Sequence, residues 1–194
     1  MSDSVIYLSV TLDGVMQAPA RPDEDTRGGF AHGGWAVPFS DPELGRVAGE
    51  NMARSGSLLL GRRTYQDFYA VWPKRRDNPY TEVLNNTQKY VASTTLKQLE
   101  WSNSTLLAGD VMQAVARLRE APGKDIVVLG SGELTRILMR HGLVDRYVLS
   151  IYPLVLGSGR RLFPDDGTLA KLRLTNTQTT TTGVVIATYA ARSA

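Results

Sequence analysis

The sequence predicts an α/β fold built on one mixed, mainly parallel sheet flanked by helices, with an antiparallel hairpin at the C-terminal edge. Three observations carry this. Apolar, β-branched runs alternate with segments of helical period through most of the chain. Two of those runs, Leu58-Leu59-Leu60-Gly61 and Val127-Val128-Leu129-Gly130, are apolar without alternation and break at glycine, as strands buried on both faces do. The chain then closes on consecutive strands around Gly183 with no helix between them, which makes the last pair antiparallel.

The elements follow in order. Residues 5–12 alternate and are rich in β-branched and aromatic side chains, a first strand ended by Asp13-Gly14. Residues 15–39 collect Pro19, Pro22, Gly28, Gly29, Gly33, Gly34 and Pro38 around the acids Asp23, Glu24 and Asp25, so no regular element is expected. A loop this long in a compact domain is usually functional. Its aromatics, Phe30 and Trp35, either close over a ligand as a lid or pin the loop to the core.

Ser40-Asp41-Pro42-Glu43 is a helix start, with a capping side chain and proline in the first turn, and the helix runs to about Ser55. A strand over 57–61, a short helix over 64–71 and a basic loop from Trp72-Pro73 to Pro79 come next. Residues 88–93 are a strand ending in Ser93-Thr94-Thr95, and 105–108 are a short strand. Asp110 caps a helix to about Glu120, 125–129 form a strand and 133–141 a helix. Residues 146–156 read as one long strand, and 172–182 with 184–191 as the terminal hairpin.

At 194 residues one domain spanning 1–194 is expected. No apolar run approaches a membrane span, and the N-terminus lacks the regions of a signal peptide, so a cytoplasmic location and no membrane partner are expected. The absence of cysteine excludes disulfides, thiolate metal sites and cysteine nucleophiles. With only His32 and His141 available, a histidine metal site is not expected. The net charge of +3 is modest and the basic residues are scattered in pairs such as Arg62-Arg63, Arg75-Arg76 and Arg160-Arg161. Nucleic acid is therefore disfavoured as a partner, whereas a small phosphorylated ligand needs only one or two such arginines.

Three strand ends suit one shared crevice. They are Gly61-Arg62-Arg63-Thr64, Ser93-Thr94-Thr95, and Gly130-Ser131-Gly132 with Glu133 and Leu134 opening the next helix. Backbone N–H groups at a helix start lack partners within the helix and lie at the positive end of its dipole, so glycines there admit an anion. In an open α/β sheet, ligands bind beyond the carboxyl ends of the strands. Arginine beside a hydroxyl cluster suits an extra phosphate, which favours NADP(H) over NAD(H). A Rossmann fingerprint would need glycine at Thr135 and an acid where residues 150–155 offer none. A Walker phosphate loop is absent.

In this order and spacing, Ser9-Val10-Thr11-Leu12-Asp13-Gly14, Leu60-Gly61-Arg62-Arg63-Thr64-Tyr65, Val91-Ala92-Ser93-Thr94-Thr95, Leu129-Gly130-Ser131-Gly132, and Pro153-Leu154-Val155-Leu156-Gly157 leading to Leu162-Phe163-Pro164-Asp165 make a recognisable set. The chain resembles the dihydrofolate reductase-like proteins, including the reductase (RibD C-terminal-like) domain of bacterial riboflavin biosynthesis, over nearly its whole length. That resemblance implies NADPH as cofactor, with Arg62, Arg63 and Thr64 near the phosphates, Ser93 and Thr94 near the adenosine 2′-phosphate, and residues 130–132 cradling the pyrophosphate. It also implies a homodimer and a small heterocyclic (pterin- or pyrimidine-like) or carbonyl substrate. In dihydrofolate reductases the equivalent glycine pair carries a cis peptide; here the second member is Ser131, and a non-proline cis bond costs about 2.5–4 kcal/mol.

The resemblance also implies an acid early in the helix after the long loop, where Asp41, Glu43 and Glu50 are the candidates; a helix cap is the rival role for Asp41. Tyr7 stands where the riboflavin-pathway reductases carry a lysine, and no attached deaminase domain is expected. Asp13 either touches substrate or turns the chain into the loop, and Gly157-Ser158-Gly159-Arg160-Arg161 either grips an anionic tail or is an exposed turn. The leading expectation is an NADPH-dependent reductase, with Asp13, Asp41 and Glu43 as candidate catalytic acids. A nucleotide-binding protein of the same fold with little catalysis is the first alternative. A purely structural module, with Trp35 and Trp72 as interface residues, is the second.

Overall fold

The computed structural model describes residues 1–76, 80–163, 165 and 169–191. The end of the predicted basic loop, Asp77 to Pro79, and Pro164 of the 162–165 motif lie outside the described residues. The chain forms two compact units, Met1–Val5 with Ala48–Val144, and Ile6–Val47 with Asp145–Ala194. Strand β1 (Ser4–Thr11) and helix α1 (Pro42–Arg54) contribute residues to both.

The first unit holds β2 (Ser55–Gly61), α2 (Arg62–Val71), α3 (Tyr80–Asn86), β3 (Gln88–Ala92), β4 (Ser104–Leu107), α4 (Val111–Glu120), β5 (Asp125–Leu129) and α5 (Gly132–Arg140). Strand β2 pairs in parallel with both β3 and β5, and β3 pairs in parallel with β4. Four carboxyl ends therefore share one edge. Leu58, Leu59 and Leu60 of β2, Val91 of β3 and Val128 of β5 have no exposed surface, which is why these strands show no polar alternation. Asp110 caps α4 as expected, its carboxylate accepting from Met112 N at 2.9 Å and Gln113 N at 3.1 Å.

Helix α3 occupies residues for which the sequence reading has no element. Seven residues with one buried apolar position, Leu84, carry too little periodicity to be read alone. Its C-terminal end is closed instead by Lys89, fully buried on β3. The Lys89 Nζ donates to the carbonyls of Leu84 (2.7 Å), Asn85 (3.3 Å) and Thr87 (2.7 Å) and lies 4.5 Å from the Trp101 ring centroid. Burial pushes the ammonium down to about 8, while the three carbonyls hold its proton in place.

The second unit holds most of β1 with β6 (Arg146–Tyr152), β7 (Leu172–Thr179) and β8 (Val185–Ala191), β8 pairing antiparallel with both β6 and β7. The hairpin turns at Gly183, whose φ of 83° suits glycine and whose N–H donates to Thr180 O at 3.1 Å. The long loop is packed. Phe30 and Trp35 join Val15, Ala18, Tyr152 and Val184 in one buried cluster, Trp35 meets Tyr152 edge-on at 5.1 Å, and its Nε1 donates to Gln17 O at 2.7 Å. Of the two roles open to these aromatics, the structure thus supports pinning over a lid. In sheet order the strands of the first unit run β4-β3-β2-β5, all parallel, and the last three of the second run β6-β8-β7, all antiparallel.

Several element boundaries differ from expectation; the first hairpin strand, predicted to 182, ends at Thr179, and β2, predicted from 57, begins at Ser55. The strand predicted over 146–156 ends at Tyr152, because proline follows and the N–H groups of Leu156 and Gly157 turn to the Asp13 carboxylate. The helix predicted from Thr64 begins at Arg62, which makes Arg62 and Arg63 its first two helical residues.

Candidate functional site

Within the first unit, β3 and β4 lie to one side of β2 and β5 to the other, so the strand order reverses at β2. Crevices at the carboxyl ends of strands form at such a reversal. Gly61 ends β2 opposite Ala92 of β3, so Arg62 and Ser93 are the next residues on neighbouring strands. The turns after β2 and β5 are tied together directly. Gly61 N donates to Ser131 Oγ at 2.9 Å, Ser131 Oγ donates to Leu129 O at 3.0 Å, and Ser131 N donates to Thr64 Oγ1 at 3.0 Å. Thr135 N closes the first turn of α5 on Ser131 O at 2.9 Å.

Both helix starts here are left without a side-chain cap. Helical geometry offers no carbonyl one turn back to the first N–H groups, so Arg62 and Arg63 of α2 and Gly132 and Leu134 of α5 present donors at the positive ends of two helix dipoles. Gly130 and Ser131 both have φ of 55°. For Ser131 this left-handed conformation costs about 1–2 kcal/mol. A Cβ added at Gly130 would lie 3.2 Å from Thr64 Cγ2, so this turn is already closely packed. Among the described residues no peptide bond is cis, that at Ser131 included.

The remaining predicted cofactor residues line the same strand ends. Arg62 Nη1 donates to Gln66 Oε1 at 3.2 Å, Arg63 is exposed, and Glu133 lies 3.8 Å from the Arg136 guanidinium. Ser93 Oγ accepts from Thr95 N at 3.1 Å and Leu96 N at 3.0 Å, a tight hydroxyl turn that leaves Thr94 and Thr95 at the surface. The structure brings Gly61, Thr64, Gly130, Ser131 and Leu134 together and sets Ser93 at the end of the adjacent strand. The crossed hydroxyl bonds are what the sequence reading missed; a hydroxyl beside glycine in both turns is the signal that foreshadows them.

The three candidate acids belong to the second unit, and each has its oxygens engaged. Asp13 Oδ1 accepts from Thr11 Oγ1 at 2.5 Å and Leu156 N at 3.2 Å, and Oδ2 from Gly157 N at 2.9 Å, with the Arg161 guanidinium 3.6 Å away. The Thr11 hydroxyl and then the two backbone N–H groups hold this carboxyl down to about 2. Arg161 also donates through Nε to Asp13 O at 2.9 Å, so the 157–161 segment is fastened at both ends of this contact. Asp41 accepts from Thr181 Oγ1 (2.5 Å), Thr181 N (2.9 Å) and Glu43 N (2.8 Å), and these bonds hold its carboxyl below the usual range. Glu43 is held low by Arg46, whose Nε donates at 2.8 Å. All three carboxylates accept hydrogen bonds from groups of the protein itself, and Asp41 makes the contact of a helix cap through Glu43 N.

Among the described residues no helix is long and apolar enough to cross a membrane. The chain is 29% identical over 190 residues to YyaP of Bacillus subtilis (strain 168), covering 95% of this chain and 93% of that one. It superposes on the structure of a candidate riboflavin biosynthesis protein from Shewanella sp. PV-4 with a TM-score of 0.74 at 21% identity, each chain covered in full. It also superposes on dihydrofolate reductase from Enterococcus faecalis, solved with NADP(H), with a TM-score of 0.60 at 14% identity, covering 98% of this chain and 97% of that one. At those identities the superpositions establish a shared dihydrofolate reductase-like fold. The family model for the RibD C-terminal domain matches residues 5–186, and the chain belongs to that family.

Proposed function

We propose that the protein is an NADPH-dependent reductase that delivers hydride to a small heterocyclic (pterin- or pyrimidine-like) or carbonyl substrate. The observation that carries the reading is the pair of uncapped helix starts, α2 and α5, tied together at the strand-order reversal by Gly61, Thr64 and Ser131. Two dipole ends side by side suit a pyrophosphate, and the donor set of backbone N–H groups, Arg62, Arg63 and hydroxyls fits an anion. Arg62 and Arg63 would hold phosphate charge, Ser93, Thr94 and Thr95 the region of the adenosine 2′-phosphate, and the 130–134 turn the diphosphate bridge. When bound, a reduced nicotinamide supplies the hydride, and the protein's share is to orient it and exclude water. Membership of the RibD C-terminal domain family and the fold shared with a dihydrofolate reductase support this reading.

A second reading is favoured by one specific observation. Asp13, Asp41 and Glu43 have their carboxylate oxygens taken up by donors of the protein itself. A nucleotide-binding protein with little catalysis accounts for that directly. The two readings part on a panel of dihydropterins, aminopyrimidinones and dicarbonyls offered with NADPH. Loss of nicotinamide absorbance with one of them, abolished by changing Arg62 and Arg63 together, supports the reductase. Tight NADPH binding without turnover on any of them supports the binding protein.

A further inference from the structure

Serine is among the favoured residues for capping its own helix, yet Ser131 does not cap α5. Its Oγ turns back to Leu129 O and accepts the N–H of Gly61, the residue just before α2. Thr64, on the first turn of α2, likewise offers its Oγ1 to the N–H of Ser131, the residue just before α5. Each helix start thus lends its hydroxyl to the other. The exchange has two consequences. The two helix ends are fixed relative to each other by bonds in both directions, and neither N-cap residue caps its own helix with a side chain. Ser131 sustains a left-handed φ of 55° to make its part of the exchange, a conformation that glycine would adopt freely.

We infer that Ser131 and Thr64 are positioning residues, a crossed pair of hydroxyls that presets the spacing of the α2 and α5 N-termini for a ligand whose two linked phosphates draw on both. The inference rests on the dinucleotide reading above. Preset spacing contributes to affinity because the ordering cost is met before binding. A ligand with a single phosphate on its ribose 5′ carbon draws on one helix end and gains little from it.

The test measures NADPH affinity by calorimetry and apo melting temperature for Thr64→Val, Thr64→Ser and Ser131→Gly, with adenosine 2′,5′-bisphosphate as the comparison ligand. Thr64→Val keeps the methyl packed near Gly130 and removes only the acceptor, Thr64→Ser restores the acceptor, and Ser131→Gly removes the hydroxyl while relaxing the backbone. NADPH affinity is expected to fall about tenfold in Thr64→Val and Ser131→Gly, the effect of one lost hydrogen bond at the site, and to stay within about twofold in Thr64→Ser. The bisphosphate is expected to change by no more than about twofold in all three. Melting shifts with unchanged NADPH affinity would overturn the inference, as would equal weakening of NADPH and the bisphosphate. Should Ser131→Gly fail to fold, the Thr64 pair decides alone. Wild-type protein that binds neither ligand defeats the functional reading itself, and the inference falls with it; wild-type binding with indifferent variants defeats only the inference.

Discussion

The turns after β2 and β5 and the carboxylates Asp13 and Asp41 are built from similar material, small polar residues beside glycine or proline at element ends, but their hydrogen bonds run in opposite senses. At the turns, backbone donors of two helix starts are left without side-chain caps. At the carboxylates, every oxygen is met by backbone N–H or hydroxyl groups, and each carboxylate reaches a loop distant in sequence. Residue type and motif position therefore do not by themselves separate binding groups from structural ones. What separates them is whether the fold has already used the group. Unused donors at a dipole end attract an anion; a saturated carboxylate holds loops.

On the donor side, changing Arg62 and Arg63 to alanine together is expected to weaken NADPH about a hundredfold and NADH about tenfold, since each charge-assisted phosphate bond contributes about 1.5–3 kcal/mol. Calorimetry with the two dinucleotides measures it, and equal losses would remove the arginines from the 2′-phosphate. A saturated group of the opposite charge gives the next effect. Lys89→Met keeps the length of the side chain but strands three carbonyls, and a loss of about 2–3 kcal/mol in denaturant unfolding is expected, with NADPH affinity unchanged.

Asp13 tests the acceptor side. Its carboxyl falls from 3.8 in the unfolded chain to about 2 in the folded one, so the stability it contributes is whole above pH ~4 and is lost as pH falls through about 2. Asp13→Asn is expected to cost about 2 kcal/mol at neutral pH and to flatten the acid limb of the stability profile. Should the variant keep its stability and lose turnover, Asp13 would belong with the catalytic groups instead. Asp41, a cap at the surface, matters least. Asp41→Ala is expected to lower the melting temperature by less than Asp13→Asn and to leave dinucleotide affinity unchanged.

Much of this was legible in the sequence, for identifiable reasons. Continuous apolar runs ending in glycine placed β2 and β5, a capping aspartate placed α4, and Gly183 placed the hairpin. The strand-end motifs named Gly61, Thr64, Gly130 and Ser131 as neighbours because parallel strands deliver their carboxyl ends to one edge. The illegible parts depend on contacts that no local periodicity encodes. Helix α3 is closed by the ammonium of Lys89 and flanked by Trp101, which no local pattern announces. The end of β6 depends on a carboxylate more than a hundred residues earlier. Whether Trp35 covers a ligand or fills a core depends on Tyr152 and Val184. Hydroxyl direction is illegible in principle, since Ser131 next to a helix start reads as a cap of its own helix.

The decisive experiment is calorimetric titration of the protein with NADPH and, separately, with NADH. Binding of both with a clear preference for NADPH is expected, because two open helix starts take the shared diphosphate while arginine and hydroxyls take the extra phosphate. Binding of neither would contradict the dinucleotide reading, leaving the uncapped turns without a ligand and the protein with a fold but no cofactor.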